Sequence, residues 1–378
     1  MSDHLDFLVS HGDEMVADLR DLVELESPSG DIEALDAVSK VIVRRARQLT
    51  EGTVELLPVV GGASHLRLAV PGSGERPVLL VGHFDTVWPL GTLTTMPFRV
   101  ETGRAHGPGV YDMKAGLVQA LWAIRALHAT GRTHPPLVLL MNSDEETGSH
   151  TSRHLIEAHA KEAVACLVLE PAFHGALKTA RKGVGLFSLE VEGRAAHAGS
   201  EPWEGASAIS EAARIVTHLH AQTNRESGTT VNVGTIEGGT RSNVVAAHAR
   251  LTVDLRVATA AEGERMTKLI LGAAAGDPRV TVKADGGMNR PPFERTEAVA
   301  ALFLRARAAA SELGIGDLQE ASVGGGSDGN FCALVNPAVL DGLGAVGDGA
   351  HALSEHVEIA EMPRRAALLA SLLESLGR

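Results

Sequence analysis

"PVLLVGHFDTV", residues Pro77–Val87, decides the fold. Its first half is a nearly unbroken apolar run, as in strands buried on both faces of a sheet. Its second half presents His83 and Asp85, two residues apart, where such a strand should turn away. In extended backbone, residues two apart face the same way. The pair therefore has two readings. His83 binds a metal while Asp85 accepts its other N–H and fixes the tautomer, or the two form a plain structural hydrogen bond in a loop.

Two further runs have the same texture, "PLVLLMNSDEE" (136–146) and "AVACLVLEP" (163–171). Helical patterns separate them, over 113–131, closed by Gly131, and over 150–161. Strand, helix, strand, helix, strand predicts an α/β layer with a mainly parallel sheet flanked by helices. Upstream, residues 5–26 and 31–49 have helical periodicity, and "VELLPVV" and "HLRLAV" read as short strands. Near Lys182 the texture changes. "GLFSLEVEGRAAH" and "HARLTVDLRVA" alternate with period two, and two helical segments interleave with these and further strands. That order predicts an open-faced antiparallel α+β domain over 183–286, inserted into a discontinuous domain of residues 1–182 and 287–378. The last part returns to α/β texture: a helix over 295–313, the glycine-rich "SVGGGSDGNF", the strand "PAVLDGLG" and a helix over 362–376.

The 378 residues include 44% apolar and 21% charged residues, enough for two packed domains. The formal charge of −13, with no basic run, argues against nucleic acid or an anionic membrane as partner. The first 27 residues read as an acidic amphipathic helix rather than a secretory leader, and no run approaches 18 apolar residues. A cytoplasmic location is expected. Cys166 and Cys332 sit in apolar stretches and read as buried core residues. Trp88 and Trp203 read either as pocket or as core residues.

Ligands of open α/β sheets bind at the carboxyl ends of strands, and polar residues collect there. Asp112 in "GPGVYDMKAG" stands just before a helix, as an N-cap or as a ligand. Asp144, Glu145 and Glu146 close an apolar strand, where adjacent like charges are costly unless a cation neutralises them. The bland reading is a solvated acidic loop. The functional one divides the labour, one glutamate binding metal and the other acting as general base toward metal-bound water. Glu170 before Pro171 and His351 in "GDGAHALSEH" are weak alone. Taken together, His83, Asp112, Glu146, Glu170 and His351 suit zinc, and also cobalt or manganese. One carboxylate can bridge two ions. Two divalent cations balance three carboxylates and one hydroxide, and burial favours that neutrality.

These motifs, with "GRAAHAG", "SNVVAAHARLTVDLR" and "GGGSDGNF", fall in one order from about residue 10 to 376. In that order the chain resembles the di-zinc amidohydrolase and exopeptidase family of glutamate carboxypeptidase, succinyl-diaminopimelate desuccinylase, acetylornithine deacetylase and aminoacylase. "HFDTVWPLGTL", "PFRVE" and "DEETGSHTSR" are most similar to the glutamate carboxypeptidase branch. The resemblance implies a zinc-exopeptidase-like fold with two zinc ions per chain. His83, Asp112 and Glu170 would hold one ion, and Asp112, Glu146 and His351 the other. It makes Glu145 the general base and Asp85 the partner of His83. Met113 stands where the family often has a second aspartate, at a peptide that is commonly cis.

In the inserted domain, the resemblance implies a homodimer in which His197 reaches the partner's active site and stabilises the oxyanion. Asn243, Arg256, Gly325 and Gly326 would hold the substrate, and Arg290 in "NRPPF" is a further candidate. Without the resemblance His197 is a loop histidine and Arg256 pairs with Asp254. The expected function is hydrolysis of an amide bond to a carboxylate-bearing amino acid, as a carboxypeptidase releasing a glutamate-like C-terminal residue. Peptides or N-acyl amino acids are the expected substrates. The alternatives are an N-acyl-amino-acid deacylase, a non-catalytic binding protein on the same fold, and a nucleotide-binding protein. The last is disfavoured because "GGGSDGN" lacks the Lys-Ser/Thr of a P-loop.

Overall fold

In the computed structural model, which describes residues 3–377, Val78–His83 is a strand with all six residues buried. It lies inside a six-stranded sheet. The order is Thr53–Leu57, His65–Val70, Leu137–Asn142, Val78–His83, Ala165–Val168, Val339–Leu340. Val78–His83 runs parallel to both neighbours, and Val339–Leu340 runs parallel to Ala165–Val168. The antiparallel pairs both involve His65–Val70. The mainly parallel sheet expected from the apolar runs is therefore present.

Register explains why polar residues collect at one edge. His83 pairs with Asn142, and Val81 pairs with Val168. The residues that follow these strands, 84–85, 143–146 and 169–170, thus leave the same end of the sheet. Helix Ala115–Ala129 is buried along most of its length, as its Ala- and Leu-rich sequence requires, and packs against helix Glu361–Leu376. Two helical readings shift. Residues 5–26 form two helices, Asp3–Ser10 and Gly12–Val23, broken at His11, whose Nδ1 donates to Phe7 O at 2.7 Å. The helix expected from residue 113 begins at Ala115, because Asp112 and Met113 have non-helical torsions; the Asp112–Met113 peptide is cis.

A small antiparallel sheet was not visible in the sequence pattern. Its strands are Gly347–Asp348, His356–Glu358, Arg104–His106 and Arg99–Glu101. Strands of two or three residues are too short to show a period.

The chain divides into two compact units. One comprises the residues up to Ala180, Arg295–Ser322, and those from Ser327 onward. The other comprises Arg181–Glu294 with Val323–Gly326. The second unit holds an antiparallel sheet in the order Thr230–Gly238, His248–Val257, Gly183–Glu192, Thr281–Arg290. Its last strand continues to Arg290, beyond the expected end at 286. Buried and less buried residues alternate along His248–Val257. Its buried set packs with Ala212, Ile215, Leu219, Met266 and Ile270 of helices Ala208–His220 and Ala260–Leu271. No helix among the described residues is long and apolar enough to cross a membrane. Cys166 and Cys332 are buried free thiols. Trp203 is 83% exposed, so the core reading of that residue fails.

Candidate metal centre

Five of the expected site residues converge in the first unit. His83 ends its strand fully buried. Its Nδ1 donates to the main-chain oxygen of Asp85 at 3.0 Å, nearer than the Asp85 carboxylate, whose Oδ1 is 3.4 Å away. The hydrogen bond that fixes the tautomer thus goes to the Asp85 carbonyl, so that in the neutral ring the lone pair is on Nε2. That nitrogen faces Asp112 Oδ1 at 3.3 Å and Glu170 Oε1 at 3.5 Å. On the other side of Asp112, His351 Nε2 lies 3.5 Å from Asp112 Oδ2 and 3.3 Å from Glu146 Oε2. His351 is a non-glycine residue at φ 60°, half-exposed on the loop between Gly347–Asp348 and His356–Glu358. The ligand atoms of His83, Asp112 and Glu170 all lie within 4.8 Å of one another, as do those of Asp112, Glu146 and His351. Asp112 belongs to both groups.

The arrangement fits metal ions better than it fits hydrogen bonds. Tetrahedral zinc takes nitrogen and oxygen at about 2.0–2.1 Å, which puts two ligands about 3.3–3.4 Å apart. The separations here, 3.3 to 3.5 Å, match that edge. Asp112 Oδ1 and Glu146 Oε1 are buried and accept no hydrogen bond. Buried acceptors without donors are rare and costly, and a cation satisfies both. In the metal-free chain protons take that place. Burial pushes the His83 pKa down, but Asp112, Asp85 and Glu170 overcome this and raise it well above 6.5. The carboxylates of Asp112 and Glu146 push His351 up to about 10. Burial raises the Asp112 carboxyl, yet the two imidazoles hold it well below the usual range.

The three adjacent acids separate in role. Asp144 turns toward helix Arg153–Glu162, accepting Thr151 N and Oγ1 at 2.7 Å each and Ser152 Oγ at 2.6 Å. Glu146 joins the second ligand group, and Glu145 lies in neither. Asp85 holds the turn in place. Its Oδ1 accepts Glu145 N at 3.1 Å, and its Oδ2 accepts Glu146 N at 3.1 Å and Ser29 Oγ at 2.7 Å.

The remaining expected residues lie in the second unit. His197 is exposed, and its Nδ1 accepts the N–H groups of Gly199 and Ser200 at 3.1 Å each, which places its proton on Nε2. Asn243 is exposed beside it, its carbonyl accepting Ala198 N at 3.0 Å. Arg256 engages both oxygens of Asp254 at 2.8 Å, the pairing expected of it without a substrate role. Arg290 is buried next to Gly326, where an added Cβ would meet its Cδ at 2.7 Å. Two residues without a sequence signal stand out. Arg181 donates through Nη1 to Gly325 O and Gly326 O at 3.1 and 3.3 Å. Glu355, four residues after His351, is fully buried and accepts several N–H groups. Neither has a local signal, since an isolated Arg or Glu near a loop usually reads as solvated.

Comparison with known proteins agrees with this geometry. Residues 79–375 match the profile described as Peptidase family M20/M25/M40. Carboxypeptidase G2 of Pseudomonas sp. (strain RS-16) is 31% identical over 377 residues, covering 96% of this chain and 89% of that one. Acetylornithine deacetylase of Myxococcus xanthus is 34% identical over 230 residues, 57% of each chain. The crystal structure of aminopeptidase PepT from Bacillus cereus ATCC 10987 shares the fold with a TM-score of 0.79 at 22% identity, covering 97% of this chain and 99% of that one. The family match spans most of the chain and the first relative nearly all of it, so this protein is a member of the M20/M25/M40 peptidase family, a hydrolase of peptide or amide bonds.

Proposed function

We propose that the chain is a zinc-dependent carboxypeptidase that releases a glutamate-like C-terminal residue, working as a cytoplasmic homodimer with two ions per chain. The observation that carries the metal reading is the shared carboxylate of Asp112. It sits between two imidazole nitrogens at 3.3 and 3.5 Å, and its Oδ1 accepts no hydrogen bond. His83, Asp112 and Glu170 would hold one ion, and Asp112, Glu146 and His351 the other; cobalt or manganese also suits these donors. Bound ions of this kind polarise a carbonyl and lower the pKa of water toward 7.

The chain's own residues supply the rest. Glu145 takes the proton of the attacking water and delivers it to the departing amide nitrogen. Asp85 keeps Glu145 and Glu146 at fixed relative positions through their main-chain N–H groups. The partner subunit's His197 donates a hydrogen bond from its Nε2–H to the tetrahedral oxyanion. Arg256 exchanges Asp254 for the substrate carboxylate, which its planar fork can bind through two hydrogen bonds. Asn243, Arg290 and the main chain at Gly325 and Gly326 hold the remaining polar groups. The carboxypeptidase reading is supported by likeness to carboxypeptidase G2 along nearly the whole chain.

A second reading, an N-acyl-amino-acid deacylase, is favoured by the 34% identity to acetylornithine deacetylase. A substrate panel on the zinc-loaded protein separates them. Peptides ending in glutamate and acetyl-amino acids are compared by kcat/KM. Preference for the peptides supports the proposal, and preference for acetyl-amino acids supports the deacylase.

A further inference from the structure

The loop that carries His351 has little of its own to hold it. It is closed by strands of two and three residues, Gly347–Asp348 and His356–Glu358, and His351 sits at φ 60° in it. Glu355 stands at its base, fully buried, its N–H bonded to Ala352 O at 2.9 Å. The Glu355 carboxylate leaves the loop and joins two other segments. Its Oε1 accepts Tyr111 N at 2.9 Å and Asp112 N at 3.1 Å. Its Oε2 accepts Gly109 N at 3.1 Å and Trp88 Nε1 at 2.8 Å. Each oxygen takes two N–H donors. Three of the four donors belong to the turn that presents Asp112, and the fourth comes from the segment after His83.

A buried carboxylate is costly unless its lone pairs are met, and four donors meet them here. Hydrogen bonds to a charged acceptor are shorter and stronger than neutral ones, so the linkage is stiff. We propose that Glu355 is a positioning residue of the metal centre: it locks the His351 loop to the Asp112 turn and so sets the span between His351 Nε2 and Asp112 Oδ2. This rests on the metal reading of the cluster.

Glu355→Gln tests it with almost no change of shape. An amide has one acceptor oxygen, and its NH2 group must face two N–H donors whichever way it turns. Metal affinity is measured by competition with a chromophoric chelator, and the visible spectrum of the cobalt-loaded protein reports ligand geometry. The expected result is one of the two ions bound about 10- to 100-fold more weakly, with an altered cobalt spectrum. Trp88→Phe removes one donor and keeps most of the ring, and should shift both readings in the same direction by less.

Unchanged affinities and an unchanged spectrum in folded Glu355→Gln overturn the proposal, even where its melting temperature falls, because a merely structural role predicts that pattern. Should Glu355→Gln not fold, Trp88→Phe decides by the same readings, and unchanged values there overturn the proposal. Wild-type protein that binds no divalent ion overturns the metal reading itself, so the two failures are distinguishable.

Discussion

Asp85 accepts the main-chain N–H of Glu145 at 3.1 Å, while its second oxygen accepts that of Glu146. One fully buried carboxylate thus fixes the relative placement of the two acids on which the proposed chemistry depends. Asp85→Asn keeps the shape but sets an NH2 group against one of those N–H donors. We expect kcat to fall by about 10- to 100-fold, as for other residues that orient ligands, with KM changed little. Steady-state kinetics on the metal-loaded variant checks this, and an unchanged kcat refutes it.

Glu145 and Glu146 are adjacent in sequence but differ in surroundings. Glu146 lies 3.3 Å from His351 and belongs to a ligand group, whereas Glu145 belongs to none. Glu145→Ala should therefore retain both ions and lose about 10²- to 10⁴-fold in kcat, the range for a general base. Glu146→Ala should lose one ion. Metal analysis beside kinetics decides it, and loss of an ion from Glu145→Ala would mean that the two roles are reversed.

How much of this was legible in the sequence depended on the length of the elements. The sheet announced itself through long apolar runs, and the strand ends delivered His83, Glu146 and Glu170 to one edge as expected. The surroundings of His351 were hidden, since the strands that bracket it are too short to leave a period. Glu355 was hidden because its partners are main-chain N–H groups, which have no sequence signature. The sequence pattern predicts a His83 tautomer fixed by the Asp85 carboxylate. In the fold the nearer carbonyl takes that bond, and the carboxylate serves the Glu145–Glu146 turn instead. Arg256 shows the opposite limit, because its substrate role and its pairing with Asp254 share one sequence pattern.

Metal loading should release protons. In the metal-free chain the carboxylates raise the His351 pKa to about 10, so that ring is charged at pH 7.5, and they shift His83 in the same direction. A ligand imidazole must be neutral. Binding then displaces at least the His351 proton from each chain, and affinity rises as pH climbs toward 10. The sign for stability is opposite. Raised histidine pKa values stabilise the metal-free fold fully below pH 6.5, and that contribution is lost as pH climbs toward 10. Calorimetric titration with zinc in two buffers of different ionisation enthalpy counts the protons, and a heat independent of buffer refutes this.

The helix after Asp112 approaches the Leu169–Glu170 segment, which follows strand Ala165–Val168, through a glycine. A Cβ added at Gly116 would lie 2.3 Å from the main-chain oxygen of Leu169. Two effects oppose each other in Gly116→Ala. Alanine is the better helix former by about 1 kcal/mol. Overpacking a tight core costs about 1–3 kcal/mol, and a main-chain atom cannot swing aside as a side-chain tip can. The clash should win, so the variant melts at a lower temperature than wild type. The helix and the strand end must also move apart, which carries Asp112 away from Glu170. We therefore expect the ion held by His83, Asp112 and Glu170 to bind more weakly as well. Thermal melts with and without zinc read both effects: the variant should melt lower in each and gain less from added zinc. An unchanged gain would show that the displacement stays within the helix.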